Sequence, residues 1–284
     1  MNVLLIGSGK GVWEIRGQQL GAAMGARVCE VPSAADLAWA DVVVLVKRAP
    51  VAFAQQARKG GKPVVWDPVD AWSQPAQNTL DAAAARTWLQ AEIAKRGAVL
   101  TLGATQAMAD AAGPTGVYLS HHHLVGLTAA PVRDEVQTVV YDGRPDYLGR
   151  WAGILTRLCA DRGWRFLVNP PDLRVGDIFV SLRDGIWDGY MPREWKSGVK
   201  VLNAMAVGRP IIAQAMASVR EIGPPGHSVV DGTEASLADA LDLWSDRERR
   251  SAVAVQCAAM APRYTVTAIA QRYRTILEAV ACPA

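Results

Sequence analysis

The sequence predicts an α/β protein made of two parallel-sheet domains. Short runs that are apolar throughout, such as Val3–Ile6 and Val42–Val46, alternate with stretches of helical spacing. Runs that do not alternate with polar residues suit strands covered on both faces. The alternation restarts after an aperiodic stretch at 124–133 that contains Pro131, so the domains are expected at 1–126 and 134–284. With 284 residues, 50% of them hydrophobic, the chain can fill one large core or two modest ones.

In order, the first half predicts a strand at Val3–Ile6, a glycine loop and a helix to about Met24. Strands follow near 27–31, at 42–46 and at 63–66, the last after the Lys59-Gly60-Gly61-Lys62 turn. An Ala-rich helix at 78–96, a strand at 98–102, a helix at 105–112 and a strand at 116–119 complete it. The second half predicts a strand at 136–141, a helix at 147–162 and strands at 164–168 and 177–182. A helix then runs to the Gly208 stop, a strand spans 210–213 and a helix starts at Ser218, so Glu221 is expected in a first turn, where a helix favours negative charge. A strand at 228–230 and closing helices end the chain, and the C-terminal helix is expected to pack back on the first domain.

The formal net charge of +3 permits an acidic partner without demanding one. Cys29, Cys159, Cys257 and Cys282 lie far apart without metal-ligand spacing, and no metal is expected. The start MNVLLIGSGKG lacks a signal peptide's pattern, and no apolar run reaches membrane-spanning length, so a cytoplasmic protein is expected. Ten Trp stand against three Phe, and Trp13, Trp66, Trp72, Trp187 and Trp195 fall in expected loops, where flat rings suit stacking on sugars or bases.

The run Asn203-Ala204-Met205-Ala206-Val207-Gly208-Arg209-Pro210-Ile211-Ile212-Ala213, followed by a small-residue loop and Glu221, resembles the C-terminal domain of GT-B glycosyltransferases, whose common form is E-A-M-A-x-G-x-P-V-[IV]-A. The resemblance implies two Rossmann-like domains facing a central cleft and transfer of a sugar from a nucleotide donor, with a UDP-sugar expected. It places Glu221 at the ribose, where Asn203 can also hydrogen-bond, and Ser218 is expected at the donor; Lys196 and Lys200, one turn apart on one helix face at the helix start, suit the diphosphate. The turn Val140-Tyr141-Asp142-Gly143-Arg144 is similar to the G-R turn of retaining members, which assigns Arg144 to the diphosphate; Arg150 approximates that family's following Lys. Asn203 replaces the motif glutamate and Trp195 the one before it, with Glu194 one residue off, so retention and inversion both stay open.

In the first half, Gly7-Ser8-Gly9-Lys10-Gly11 is neither a P-loop nor a complete dinucleotide fingerprint, since Val12 stands where the third glycine belongs. Glu30 near a ribose-binding position keeps an NAD-dependent enzyme as an alternative. Gly9 and Lys10 are expected near the donor, and Trp13, Trp72 and His123 near the acceptor. Asp67 and Asp70, at a strand's carboxyl end, and His121 are candidates to take the acceptor hydroxyl's proton. The segment Trp195-Lys196-Ser197-Gly198-Val199-Lys200 resembles phage-type sequences, and small GT-B enzymes of phages glucosylate hydroxymethylated pyrimidines in DNA. A DNA acceptor is therefore one expectation, beside a polysaccharide, a lipid-linked sugar or a small molecule. A catalytically inactive sugar- or nucleic-acid-binding module is the remaining alternative.

Overall fold

The computed structural model describes residues 1–70 and 80–281. The chain divides into two compact units, each built on one parallel sheet. The first unit comprises Met1–His122, Glu194–Ser197 and Thr265–Ala284; the second comprises His123–Arg193 and Gly198–Tyr264.

The first sheet holds β1 (Val3–Ile6), β2 (Arg27–Cys29), β3 (Val42–Val46), β4 (Val64–Val69), β5 (Leu100–Gly103) and β6 (Gly116–Tyr118) in the order β2-β1-β3-β4-β5-β6. All pairings are parallel. Every residue of β1, β3 and β4 is buried, whereas the edge strands β2 and β6 are partly open. Burial on both faces is the reason the central strands read as unbroken apolar runs. The fourth strand extends past its expected end through Asp67 and Pro68 to Val69. Its register against β5 shifts between Trp66 and Val69, so the missing N–H of Pro68 falls at an irregularity. After β1 the chain makes a π-helical stretch, Trp13–Gln19, that continues as the helix Leu20–Met24. The helix Val266–Ala281 also belongs to this unit, burying Ile269, Ala270, Tyr273 and Leu277 and packing on Leu20–Met24 and β3.

The second sheet holds β7 (Thr138–Tyr141), β8 (Arg165–Val168), β9 (Ile178–Ser181), β10 (Ile211–Gln214) and β11 (His227–Val230), ordered β11-β10-β9-β7-β8 and parallel throughout. Its core joins Val139 to Tyr141, Trp151, Leu155, Phe179, Leu202, Met205 and Ile212. The segment after His123 is tied to this unit: Arg209 donates to the carbonyls of Ala130 at 3.0 Å and Pro131 at 2.6 Å.

Each sheet reverses its direction of growth after its second strand, which puts the switch point between β1 and β3 in one and between β7 and β9 in the other. In open parallel sheets, the loops at the carboxyl ends on either side of that switch are where ligands bind. No helix among the described residues is long and apolar enough to cross a membrane.

Candidate functional site

In the first unit the loops at the switch are 7–12, after β1, and the turn after β3 that begins at Lys47. Gly7 and Gly17 form a slot for Trp13. A Cβ at Gly7 would lie 2.5 Å from the indole, and one at Gly17 would lie 2.1 Å from it. Trp13 is thus a core residue, 3% exposed, and not the ring for stacking on an acceptor that the sequence suggests. The glycine at position 7 serves this packing. Gly9 (φ 95°) and Lys10 lie exposed on the same loop.

Asp67 is fully buried. Arg16 Nε lies 3.2 Å from its carboxylate, and the Tyr273 hydroxyl donates to it at 3.2 Å. Arg16 also donates to the carbonyls of Leu119 at 2.7 Å and Ser120 at 2.9 Å. Burial pushes the Asp67 carboxyl up against the opposing pull of Arg16. Its carboxylate is engaged by Arg16 and Tyr273, so its place is that of a tie between β4, the first helix and the C-terminal helix.

Asp70 is the partner of two ammonium groups. Lys47 Nζ stands 3.1 Å from one carboxylate oxygen, and Lys196 Nζ binds the other. Burial would raise the Asp70 carboxyl, but Lys196 and Lys47 together outweigh it and hold the group far below the usual carboxylate range. A carboxylate so stabilised is a poor proton acceptor near neutral pH. The sequence reading puts Lys196 and Lys200 on one helix face; the helix instead spans Val199–Val207 behind a Gly198 cap, so Lys196 precedes it.

His121 is 1% exposed, and neither ring nitrogen has a hydrogen-bond partner among the described residues. Burial, with the charges of Arg16 and His122 added, pushes its pKa well below the ordinary value, which keeps the imidazole neutral. His122 reaches the Ile15 carbonyl at 3.4 Å. The backbone N–H of His123 donates to Tyr264 at 3.0 Å, and its Nδ1 lies 3.0 Å from the Leu124 carbonyl. Trp66 and Trp195, expected in loops, are also core residues at 1% and 0% exposure. Trp66 donates to the Lys47 carbonyl, and Trp195 packs near Trp88. Trp72 lies outside the described residues.

In the second unit the switch loops are 142–144 after β7 and 182–187 after β9. Asn169 clamps the first, accepting from Gly143 N at 2.7 Å and donating to Gly143 O at 2.8 Å. Lys200 Nζ lies 4.8 Å over the Tyr141 ring, against Gly143, where a Cβ would stand 2.1 Å from the ammonium. Arg144 is open to solvent and pairs with Asp146 at 3.0 Å. Arg150 is held at Asp184 and donates to Gly232 O at 3.1 Å.

Asn203 is buried with both ends of its amide engaged. Its oxygen accepts from Leu124 N at 2.8 Å and its nitrogen donates to Asp142 at 2.6 Å. Ser218 is buried and its hydroxyl has no hydrogen-bond partner among the described residues. The helix expected from Ser218 spans Ala217–Ile222, so Glu221 stands near its end and not in its first turn. The strand end at Gln214 and the loop after β9 lock together: Gln214 accepts from Arg183 N at 2.7 Å and donates to Arg183 O at 3.0 Å. The Arg183 guanidinium then stacks 4.9 Å from the Tyr147 ring. Sequence reading passed over Lys47, Asp142 and Arg183; the signal that finds them is their position just past β3, β7 and β9, which requires the strand order. No cluster among the described residues has the makings of a metal site.

No family model and no curated protein sequence matches the chain. Solved structures match it along its length. The crystal structure of Anabaena Alr3699/HepE in complex with UDP-glucose superposes with a TM-score of 0.69 at 16% identity, covering 98% of this chain and 100% of that one. A glycosyltransferase from Rickettsia africae ESF-5 gives 0.62 at 12% identity, covering 100% and 99%. A UDP-forming α,α-trehalose-phosphate synthase from Burkholderia vietnamiensis gives 0.57 at 10% identity, covering 94% and 83%. At these identities the likeness establishes the fold, that of GT-B glycosyltransferases, with two parallel-sheet α/β units.

Proposed function

We propose that the protein is a glycosyltransferase that moves a sugar from a nucleotide-diphosphate donor, a UDP-sugar first among them, to an acceptor hydroxyl. The observation that carries this reading is the whole-length fold likeness to a structure holding UDP-glucose. The second unit supplies groups suited to such a donor. The helix Val199–Val207 starts without a side-chain cap, so its first N–H groups suit a phosphate, with Lys200 and Arg144 as the cations nearby. Lys196, four residues before Lys200 in the chain, keeps the phosphate role that its charge and its place just before the helix suggest. Ser218 and Glu221 offer oxygens for ribose hydroxyls. Asn203, its amide engaged, acts by fixing Asp142 and the chain at Leu124.

Among the candidate acid–base groups, His121 fits the chemistry best. It is neutral, and its nitrogens have no partner among the described residues, so it can bind a sugar hydroxyl or take its proton. Asp67 and Asp70 are held in ion pairs. A DNA acceptor loses the support of Trp13, Trp66 and Trp195, which are core residues, so a sugar or small-molecule hydroxyl is the acceptor this reading favours. Thermal melts with UDP, UDP-glucose and NAD, followed by transfer assays on sugar acceptors and hydroxymethylated DNA, test it. Stabilisation by UDP and release of UDP from UDP-glucose are expected. Stabilisation by NAD alone would overturn the proposal in favour of an oxidoreductase.

A further inference from the structure

Lys47 and Val69, just past β3 and at the end of β4, both have left-handed backbone, with φ of 54° and 58°. For a buried β-branched residue such as Val69 this conformation is strained and persists only where its surroundings enforce it. At Lys47 two contacts fix the backbone against β4: Lys47 N donates to the Asp67 carbonyl at 2.7 Å, and the Lys47 carbonyl accepts from Trp66 Nε1 at 2.9 Å. The side chain of Lys47, just past β3, thus meets that of Asp70, just past β4, with Lys196 on the second carboxylate oxygen. One buried carboxylate requires one counter-ion. Asp70, 6% exposed, has two, and of these Lys47 is the more open, at 33% against 19% for Lys196.

We propose that Lys47 is a positioning residue that keeps Asp70 neutralised, so that Lys196 can leave the carboxylate and bind a phosphate of a nucleoside diphosphate. This rests on the donor role proposed above for Lys196. In the ligand-free chain Asp70 holds Lys196 in place. A phosphate then competes with Asp70 for the same ammonium. With Lys47 in place the carboxylate keeps a partner after the exchange. Without it, every phosphate contact by Lys196 strands a buried charge, and binding weakens by that cost. No bond is made or broken; two ion pairs exchange partners.

The test is calorimetric titration of the full chain with UDP in four forms: wild type, Lys47→Met, Asp70→Asn and the double variant. Lys47→Met is expected to weaken UDP binding by about tenfold or more, because it leaves Asp70 to hold Lys196 alone. Adding Asp70→Asn is expected to restore binding to within about threefold of wild type, since no charge is left to strand. Were Lys47 merely structural, the double variant would bind no better than Lys47→Met. Lys47→Arg keeps the charge and is expected to bind as wild type does, which keeps the test decisive even where the Met variant folds poorly. Equal UDP binding by wild type and Lys47→Met, or no recovery in the double variant, overturns the inference. Failure of the wild type itself to bind UDP removes the donor role of Lys196 and this inference with it.

Discussion

At position 203 the chain carries Asn where the resembling motif carries Glu, and its neighbours explain why. The amide nitrogen meets Asp142 at 2.6 Å and the amide oxygen meets Leu124 N at 2.8 Å. Glutamate would set a second carboxylate against Asp142 in a buried position. Asn203→Glu is therefore expected to destabilise the protein by about 2–4 kcal/mol in urea unfolding, and by less when combined with Asp142→Asn; equal stability of Asn203→Glu and wild type would refute the argument. The sequence displays the departure from the motif but not its compensation, because Asp142 lies 61 residues away. His121 makes a second residue-scale prediction. Its folded pKa lies below the unfolded value of about 6.5. As pH falls, the unfolded chain takes up this proton first, so stability declines below about pH 6.5 until the folded imidazole also titrates. The unfolding free energy is expected to fall between about pH 6.5 and 5 more steeply in wild type than in His121→Phe. Parallel pH profiles would assign the acid sensitivity to other groups.

Among the elements, the strands were the most legible, because central parallel strands are covered on both faces and their runs carry no competing period. The segment past β4 was the least legible. Asp67-Pro68 reads as a turn by local chemistry, yet it continues the strand because Arg16 and Tyr273 supply buried partners for the carboxylate. Both partners come from helices distant in sequence. The same tie anchors the helix Val266–Ala281, with Arg274 adding a bond to Met24 O at 3.1 Å. Tyr273→Phe is expected to cost about 1 kcal/mol, the net worth of one hydrogen bond. Arg16→Met is expected to cost about 3–5 kcal/mol, since it leaves Asp67 buried without a counter-ion. Equilibrium denaturation checks both, and a smaller loss for Arg16→Met than for Tyr273→Phe would reverse the ranking. Aromatic usage misled at this scale: Trp13, Trp66 and Trp195 are expected at loops, yet their rings fill the core. A ring's burial depends on the slot that receives it, here Gly7 and Gly17 for Trp13, and the sequence does not pair a ring with its slot.

For the whole molecule, binding and stability are linked: UDP at about a hundred times its Kd is expected to add about 2.7 kcal/mol and to raise the melting temperature accordingly. An unchanged melt at saturating UDP would count against the donor reading. By itself the sequence determined the α/β class, the parallel strands and the likeness of 203–213 to a donor-binding motif. These depend on local spacing and on residue types within one helix-turn-strand segment, where a pattern along the chain is also a pattern in space. Tertiary structure decided the strand orders that put Lys47 and Arg183 at switch points. It also placed Lys196 on Asp70, took Asp67 and Trp13 into the core, and left His121 neutral with no partner for its nitrogens among the described residues. Each of those outcomes depends on charge balance and desolvation among residues far apart in the chain, which become defined only when the sheet brings them together.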